Sequence, residues 1–394
     1  MEPDGRISAS EAAARLGVKR ETLYAYASRG MLESRRAMDG KTSTFDPAEV
    51  DALRTRRRRR AGGAEAVVTS AITRVAEDGL SYRGRDVADL VDAGFEAVAD
   101  HLWQDPDGRG AASWEPDRDL GDAVQRAAEA LPQTVPGIDR LRLGAAVASG
   151  LDPLRHDRSP AGVARAGRRL IQAYVQALPP RGRARAGGTV AQRLWPRLTA
   201  RPADPVLVQA LDTALVVLAD HDLASSTYAV RVAASVRADP YSAAVTGLGA
   251  IGGPLHGAAS AAVHELFDRA VELGSPGAAV GDLLRRDRPL PGFGHPVYHS
   301  VDPRYRLLQG AVTAAFGSDP GLEVVEAVTG VARSRRDDVA NIDLALGALT
   351  WLAGMASDAG EVVFAVSRTA GWLAHASEEY GEAPLRYRPR SLPR

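Results

Sequence analysis

Apolar side chains recur at steps of three and four residues along much of this 394-residue chain, and this spacing constrains its fold more than any other feature. The period runs through VLVQALDTALVVLADHDLASSTYAVRVAASV (206–236), DLALGALTWLAGMA (343–356) and EVVFAVSRTAGWLAHASEEY (361–380). Such a period places apolar groups along one face of an α-helix. The sequence therefore predicts a mainly α protein, with a short strand pair near GLSYRGRDV (79–87).

Charge and residue usage narrow the class of protein. The chain holds 49 basic and 49 acidic residues, so no global charge draws it to nucleic acid or to a membrane. It has no cysteine, which excludes thiol catalysis, thiolate metal sites and disulfides. No apolar run reaches the roughly 18 residues of a membrane span, and MEPDGRISASE does not resemble a signal peptide. We expect a cytoplasmic protein.

The first 60 residues differ from the rest, with fourteen Lys or Arg against nine Asp or Glu. ISASEAAARLGVKRETLYAYASRGML (7–32) predicts two short helices around a turn at Gly17. Six apolar residues are the expected core of this segment: Ala13, Leu16, Val18, Leu23, Tyr26 and Leu32. ESRRAMDGKTSTF (33–45) predicts a hairpin that turns at Asp39-Gly40, and Pro47 suits the first position of a further helix.

This order of elements resembles the MerR-like and excisionase-like DNA-binding modules. The resemblance implies a winged helix-turn-helix module over residues 1–53. Four of its residues would face a major groove: Lys19, Arg20, Thr22 and Tyr24. An arginine-rich linker follows at 54–63, either adding phosphate contacts or simply solvated. DNA binding and a docking role both remain open for the module.

The stretch TGLGAIGGPLHGAAS (246–260) carries the G-x-G-x-x-G spacing of a dinucleotide-binding turn in Gly247, Gly249 and Gly252. That turn requires a buried strand before its glycines. The preceding AASVRADPYSAAV is rich in alanine and broken by Asp239-Pro240. The stretch therefore predicts a mobile or tightly approached glycine loop that presents His256, rather than a phosphate cradle.

Three histidines have unusual neighbours. His221 follows an apolar helical pattern, His256 lies among glycines, and His295 belongs to PGFGHPVYHSVDPRYR (291–306). Glycine beside a histidine lets backbone approach a ligand closely. Other histidines fit packing positions inside helices: His101, His264 and His375. We expect no metal site, because no H-E-x-x-H or similar short ligand spacing occurs.

PGFGHPVYHSVDPR resembles the citrate synthase family pattern, in which D-P-R ends nine residues after the histidine of G-F-G-H. Further stretches resemble family elements in the same order along the chain: 70–103 with its Y-R-G, 219–260 around the first two histidines, NIDLALGAL (341–349), SRTAGWLAH (367–375) and YRPRS (387–391). The resemblance covers about residues 69–391 and leaves the front module outside.

The resemblance implies a large helical domain (64–215 and 326–394) and a smaller one (216–325) that closes over it. It implies condensation of acetyl-CoA with oxaloacetate to citrate and CoA, without a cofactor. Asp343 would remove a methyl proton, His256 would stabilise the enol, and His295 would protonate the keto oxygen. The oxaloacetate carboxylates would be held by His221, Arg304 and Arg368.

Two further implications concern acyl-CoA and the oligomer. The loop before His295, namely Pro291, Gly292, Phe293 and Gly294, would contact the acyl-CoA chain. Arg388 would reach the active site of the partner subunit, which makes a homodimer obligatory.

Elementary chemistry favours these residue types. A thioester α-proton is a weak acid, so its removal needs a desolvated, positioned base and donors aimed at the developing oxyanion. A dicarboxylate suits arginines, whose planar fork binds carboxylates bidentately. Taken alone, Asp343 is equally suited to cap the helix that begins at LALGAL.

Departures from the family pattern leave alternatives open. The chain reads H-D-L-A-S-S-T from His221, where the family commonly reads H-E-x-N-x-S-T, and it has Ala258 and Ser260 in place of a glycine and an asparagine. A 2-methylcitrate synthase acting on propionyl-CoA is one alternative, since a methylene group is weakly discriminated. A DNA-binding regulator with a ligand-sensing, synthase-like body is another. The presence of a base at Asp343 favours the enzyme.

Overall fold

The computed structural model describes residues 6–16, 18, 20–28, 32–36, 43–51, 53, 68–77, 79–105, 114–183, 187–253, 256–257, 259–286, 288–335 and 339–387. They fall into two compact units, one up to Thr69 and the other over Ser70–Tyr387. Gly17, Lys19, the Asp39-Gly40 turn, the 54–63 linker and Arg388 lie outside the described residues. The predicted boundaries at 53 and 63, and the division of the second unit into large and small domains, stay predictions. None of the helices described is long and apolar enough to cross a bilayer.

The first unit contains a small antiparallel sheet and short helices. In chain order these are β1 (Ile7–Ser8), α1 (Ala9–Leu16), α2 (Arg20–Ser28), β2 (Ser34–Arg36), β3 (Ser43–Phe45) and α3 (47–51). Strand β3 pairs with both β1 and β2, and Ser34 lies opposite Phe45. Asp46 accepts a hydrogen bond from the Ala48 amide at 2.7 Å and so caps α3.

The core of the first unit includes the residues expected from the sequence. Ala13, Leu16, Leu23 and Leu32 are buried, and Val18 and Tyr26 pack partly buried against them. Several residues that the sequence did not single out complete this core: Ile7, Ala9, Ala12, Phe45, Val50 and Leu53. On α2, Arg20 is exposed, Thr22 is half-buried, and Tyr24 is 40% exposed.

The second unit begins with a three-stranded antiparallel sheet and continues as helices. The strands are β4 (Thr73–Ala76), β5 (Gly79–Tyr82) and β6 (Arg85–Asp86), so the predicted strands near 79–87 are confirmed. The helices are α4 (Val87–Leu90), a 3-10 turn (Val91–Ala93), α5 (Phe95–Trp103), α6 (Arg118–Glu129), α7 (Gly137–Gly150), α8 (Pro160–Ala177), α9 (Val190–Leu198), α10 (Pro205–Leu218), α11 (Ser225–Ser235), α12 (Pro240–Ile251), α13 (Ala259–Glu272), α14 (Pro276–Arg285), α15 (Pro303–Phe316), α16 (Pro320–Arg333), α17 (Ile342–Leu352) and α18 (Ala359–Tyr380). The predicted mainly α class is confirmed.

Four helices of this unit start at an Asp-Pro pair. In each, the aspartate side chain accepts a backbone amide of the first turn and the proline takes the first helical position: Asp204-Pro205, Asp239-Pro240, Asp302-Pro303 and Asp319-Pro320. A free carboxylate satisfies an orphan amide there, and proline has no amide to satisfy. The Asp239-Pro240 break noted in the sequence is therefore the start of α12.

Helix α18 runs through the core, and almost all of its side chains are buried. Its Trp372 packs on the backbone of α12 at Gly247, where an added Cβ would come within 2.7 Å of the indole. The prediction that the glycines of 247–252 form a loop is wrong for Gly247 and Gly249, which lie inside α12. Gly247 is required by this close helix packing, and a helix rather than a strand precedes Gly252.

Candidate active site

His221 lies just beyond the end of α10, on a chain that turns at once because Asp222 has a left-handed backbone (φ 53°). Its Nε2 is 3.2 Å from the Tyr298 hydroxyl. Its ring meets that of His295 edge to face, with centroids 5.3 Å apart. Burial, followed by the charge of Arg304, holds the pKa of His221 well below its ordinary value. His221 is therefore a neutral imidazole beside a second histidine.

The backbone fixes the tautomer of His295. Its Nδ1 accepts hydrogen bonds from the amides of Val297 and Tyr298, both at 3.1 Å. Burial and the neighbouring Arg304 lower its pKa to about 4, so the ring is neutral and its proton lies on Nε2. This Nε2 is 3.2 Å from Nη2 of Arg304. Two donors thus stand side by side, an arrangement that suits a ligand oxygen carrying negative charge.

Asp302, buried completely, connects the arginine to the start of α17. It accepts from Arg304 Nε at 3.0 Å and Nη2 at 2.8 Å. It also accepts the amide of Ile342 at 3.1 Å. Asp302 belongs to the D-P-R element, but the sequence analysis assigned no role to it. Its contacts show that it holds a site arginine and the N-terminus of another helix in one geometry.

Asp343 lies in the first turn of α17, and Asn341 rather than Asp343 caps that helix. The Asn341 Oδ1 accepts the Asp343 amide at 3.0 Å, so the alternative reading of Asp343 as an N-cap is wrong. Burial raises the pKa of Asp343 to about 6, although Arg304 acts in the opposite direction. A carboxylate with so raised a pKa is a stronger base than one in water.

The loop 291–294 is tied to the same helix start. Asn341 donates from its amide to Gly292 O at 2.9 Å and from Nδ2 to Gly294 O at 2.8 Å. Phe293 and Ala340 form an antiparallel bridge. Gly292 has φ 80°, and an added Cβ would come 2.7 Å from the Leu344 side chain. The loop therefore requires glycine there and lies directly against the segment that carries Asp343.

His256 is held from behind by a serine. Its Nε2 is 2.9 Å from Ser226 Oγ, which also accepts from Trp372 Nε1 at 3.2 Å. Indole only donates, so the serine keeps its own proton and can donate it to His256 Nε2; in that arrangement the imidazole proton lies on Nδ1. Burial, and then the charge of Arg368, lower the His256 pKa. Sequence reasoning missed this role of Ser226, although Ser226 belongs to the S-T pair kept after His221.

Arg368 on α18 is a buried cation close to His256. Its Nε donates to Leu218 O at 2.9 Å. Its guanidinium carbon lies 4.4 Å from the ring centre of Phe364, against which His256 packs edge to face at 5.7 Å. Burial lowers the pKa of Arg368 to about 10, a shift that the charge of Asp220 opposes. Sequence reasoning also missed Phe364, because a single apolar residue in a helical pattern does not indicate which residues it contacts in the folded protein.

The predicted residues thus come together in two contacting groups. His221, His295 and Arg304 meet directly, whereas His256 and Arg368 meet through Phe364. The charges of Arg304 and Arg368 both act on Asp343. Within the described ranges, no three His, Asp or Glu side chains gather as metal ligands would. Arg388 cannot be located relative to these groups, since it lies outside the described residues.

A cavity of about 770 Å³ lies between α13, α14 and residues 288–291. Its wall includes the apolar Leu266 and Leu283, and it shares Pro291 with the loop described above. Its charged lining residues are Arg269, Arg286, Arg288, Glu265 and Asp282. Apolar walls with three guanidinium groups suit a ligand that has both an apolar part and anionic groups.

Most of the chain is similar in sequence to proteins of one family. Residues 63–390 match the family described as "Citrate synthase, C-terminal domain". "Citrate synthase 2" of Bacillus subtilis is 28% identical over 361 residues, which are 84% of this chain and 94% of that protein. "Citrate synthase" of Dictyostelium discoideum is 34% identical over 197 residues, and the match spans 48% of this chain and 38% of that protein.

Solved structures show the same fold. Citrate synthase from Thermotoga maritima superposes with a TM-score of 0.66 at 24% identity, covering 84% of this chain and 93% of its own. Citrate synthase from Thermoplasma acidophilum, in a ternary complex with carboxymethyl coenzyme A and oxaloacetate, gives 0.67 at 22% identity, covering 84% and 95%. At these identities the likeness establishes the fold alone.

Proposed function

Since the chain belongs to the citrate synthase family, we propose that it condenses acetyl-CoA with oxaloacetate to give citrate and CoA. The observation that carries the proposal is a half-buried carboxylate of raised pKa, Asp343, under the influence of two buried arginines, with two neutral histidines nearby. Citrate synthases need no cofactor, and acetyl-CoA is a substrate. The chemistry must therefore come from side chains.

In the first step Asp343 removes a proton from the methyl group of acetyl-CoA. The electron pair of that C–H bond forms the enol C=C bond, and negative charge develops on the thioester oxygen. His256 donates to this oxygen from Nδ1, with its Nε2 turned to Ser226. A desolvated base and a fixed donor act together here, because neither lowers the barrier enough alone.

In the second step the enol carbon attacks the keto carbon of oxaloacetate. The C=O π bond breaks, and the oxygen takes the proton from Nε2 of His295, whose Nδ1 is occupied by backbone amides. Arg304, Arg368 and His221 hold the two carboxylates of the keto acid. Water then cleaves the C–S bond of the citryl thioester, releasing citrate and the CoA thiol. Asp343 gives up the methyl proton to solvent and His295 regains a proton from solvent, which restores both side chains.

Acyl-CoA would lie along the loop of Pro291, Gly292, Phe293 and Gly294. Support comes from the bond between this loop and Asn341, which sets the loop beside the proposed base. The cavity that shares Pro291 offers apolar walls and three arginines for the nucleotide part of the substrate. In the proposed homodimer, Arg388 of each subunit completes the other's site.

The test is CoA-thiol release from acetyl-CoA plus oxaloacetate, with propionyl-CoA in parallel. We expect turnover with the parent protein and a loss between roughly 10²- and 10⁴-fold in Asp343→Asn, which keeps the shape of the side chain and removes the base. A clear preference for propionyl-CoA would establish the 2-methylcitrate synthase alternative. No turnover by folded protein with either thioester would sink the synthase proposal.

A second function is favoured by the first unit, most of which precedes the family match that begins at residue 63. We propose that it is a winged helix-turn-helix module that binds DNA through Lys19 together with three residues of α2: Arg20, Thr22 and Tyr24. The exposure of Arg20 and Tyr24 on α2 supports this. A mobility shift on genomic fragments at low salt tests it, with Arg20→Ala expected to weaken binding. Equal binding by the variant, or none by the parent, would favour a docking role.

A further inference from the structure

One face of α18 binds the three residues that precede His221. The contacts join consecutive positions of the segment to α18 residues spaced by three and four: Arg368 Nε donates to Leu218 O at 2.9 Å, the Gly371 amide donates to Ala219 O at 3.0 Å, and His375 Nε2 lies 3.2 Å from Asp220 Oδ2. Such spacing places side chains on one helix face. Helix α18 thus fixes the position of the segment that leads into the site.

His375, expected from the sequence to be a packing residue, has polar contacts on both ring nitrogens. Its Nδ1 is 2.9 Å from Nη1 of Arg231, and a guanidinium can only donate. Nδ1 is therefore an acceptor, and the ring proton lies on Nε2, directed at Asp220. His375 is fully buried. Its ring is held in one orientation between a guanidinium and a carboxylate.

Arg231 is fixed in turn and cannot swing away. Its side chain is inaccessible to solvent, its Nε lies 3.1 Å from Glu379 Oε2, and its Nη1 lies 2.6 Å from Glu378 Oε2. Glu379 is inaccessible as well. Removing His375 would leave Arg231 paired with its two glutamates but would take from Asp220 a buried polar partner, and an unsatisfied buried carboxylate oxygen is costly.

Asp220 is restrained on its other sides. Its Oδ2 accepts from Thr73 Oγ1 at 2.6 Å, and its carbonyl accepts from the Tyr82 hydroxyl at 3.1 Å. A Cβ added at Gly371 would come 2.2 Å from its Oδ1, so the carboxylate packs directly on the α18 backbone. The chain turns immediately afterwards. The direction in which His221 projects is therefore set by how Asp220 is held.

We propose that His375 is a positioning residue that, through Asp220, holds His221 in the geometry that binds the dicarboxylate keto acid. It touches no substrate itself. The identity of that ligand rests on the proposed function, whereas the ordering of residues 218–222 by His375 does not. Two measurements therefore separate the two proposals.

The first measurement is hydrogen–deuterium exchange of the peptide spanning 218–224 in His375→Leu and His375→Gln. Leucine fills similar space without a polar atom, whereas glutamine offers an acceptor to Arg231 and a donor to Asp220. We expect exchange about tenfold faster in His375→Leu, since local opening becomes easier, and near-parent exchange in His375→Gln. Parent-like exchange in His375→Leu, or equally fast exchange in both variants, would overturn the proposal.

The second measurement is the KM for each substrate in the same proteins. His375→Leu should raise the oxaloacetate KM about tenfold, or about 1.4 kcal/mol, and leave the acetyl-CoA KM nearly unchanged, with rescue in His375→Gln. Equal changes in both KM values would overturn the positioning role. An inactive parent would overturn the proposed function, and the exchange result would still decide the positioning role.

Failure of His375→Leu to fold would shift the test to Thr73→Val, with Thr73→Ser as its rescue. Thr73 donates to the same Asp220 oxygen from a half-buried strand position. Exchange at 218–224 that is faster in Thr73→Val but not in Thr73→Ser would support the proposal that the contacts of Asp220 order this segment. Parent-like exchange in Thr73→Val would overturn it.

Discussion

At the scale of the residue, the raised pKa of Asp343 sets the pH dependence of the proposed reaction. The base must be deprotonated, so kcat/KM should rise about tenfold per pH unit below pH 6 and level off above the pKa of about 6. His295, with a pKa of about 4, stays neutral across this range and adds no inflection. A pH–rate profile from 5 to 8 measures this.

A flat profile over that range would mean that Asp343 is not the group whose proton is transferred. The charge of Arg304 lowers the pKa of Asp343, so a substitution that displaces Arg304 should move the inflection to higher pH as well as raise the oxaloacetate KM.

At the scale of the element, α12 offers a matched pair of glycines. Gly247 and Gly249 both lie inside the helix, but only Gly247 faces Trp372, with an added Cβ 2.7 Å from the ring. Gly249 meets nothing within 4 Å. Alanine is favoured over glycine in a helix interior by about 1 kcal/mol. We expect Gly249→Ala to raise the free energy of unfolding by up to that amount and Gly247→Ala to lower it.

Chemical denaturation of both variants measures the difference. Equal stabilisation by the two substitutions would mean that α12 and α18 are not packed as closely as described, and would return Gly247 to the status of an ordinary helix residue.

Element type was predictable here because the spacing of apolar residues and the Asp-Pro starts are local signals. The paired strands near 79–87 and the helix that begins at Pro47 were predictable for the same reason. The prediction for the glycines of α12 was wrong because glycine is needed at position 247 to make room for Trp372, which lies 125 positions later in the chain. The roles of Ser226, Phe364 and His375 likewise come from contacts between distant helices, which periodicity in one segment does not encode.

At the scale of the whole molecule, two buried acids should make the free energy of unfolding decrease as the pH rises. Burial raises the pKa of Glu96 to about 7 and that of Asp212 to about 6. The folded state thus binds these protons more tightly than the unfolded state. The stability they provide is complete below pH 4 and is lost as pH rises toward 6 and 7.

Glu96→Gln should therefore be more stable than the parent at pH 8 and show a weaker decline between pH 5 and 8. Glutamine keeps the acceptor that Glu96 offers to the Val190 amide and removes the buried charge. The pKa shift is worth roughly 1.4 kcal/mol per unit. Tm measured at each pH tests this, with the exposed Glu326→Gln as control. A parent-like slope in Glu96→Gln would contradict the assignment.

The bonds from Asn341 to the loop at Gly292 and Gly294 have a consequence for redesign. The loop that would contact the acyl chain and the carboxylate that would start the chemistry are both hydrogen-bonded to Asn341, so a change in the position of one should alter the position of the other. A loop substitution that admits a longer acyl chain should therefore also displace Asp343. A wider range of accepted thioesters would then be accompanied by a lower kcat. Phe364, which contacts His256 and Arg368 from α18, belongs to a different helix and is a position that can be varied without changing these bonds.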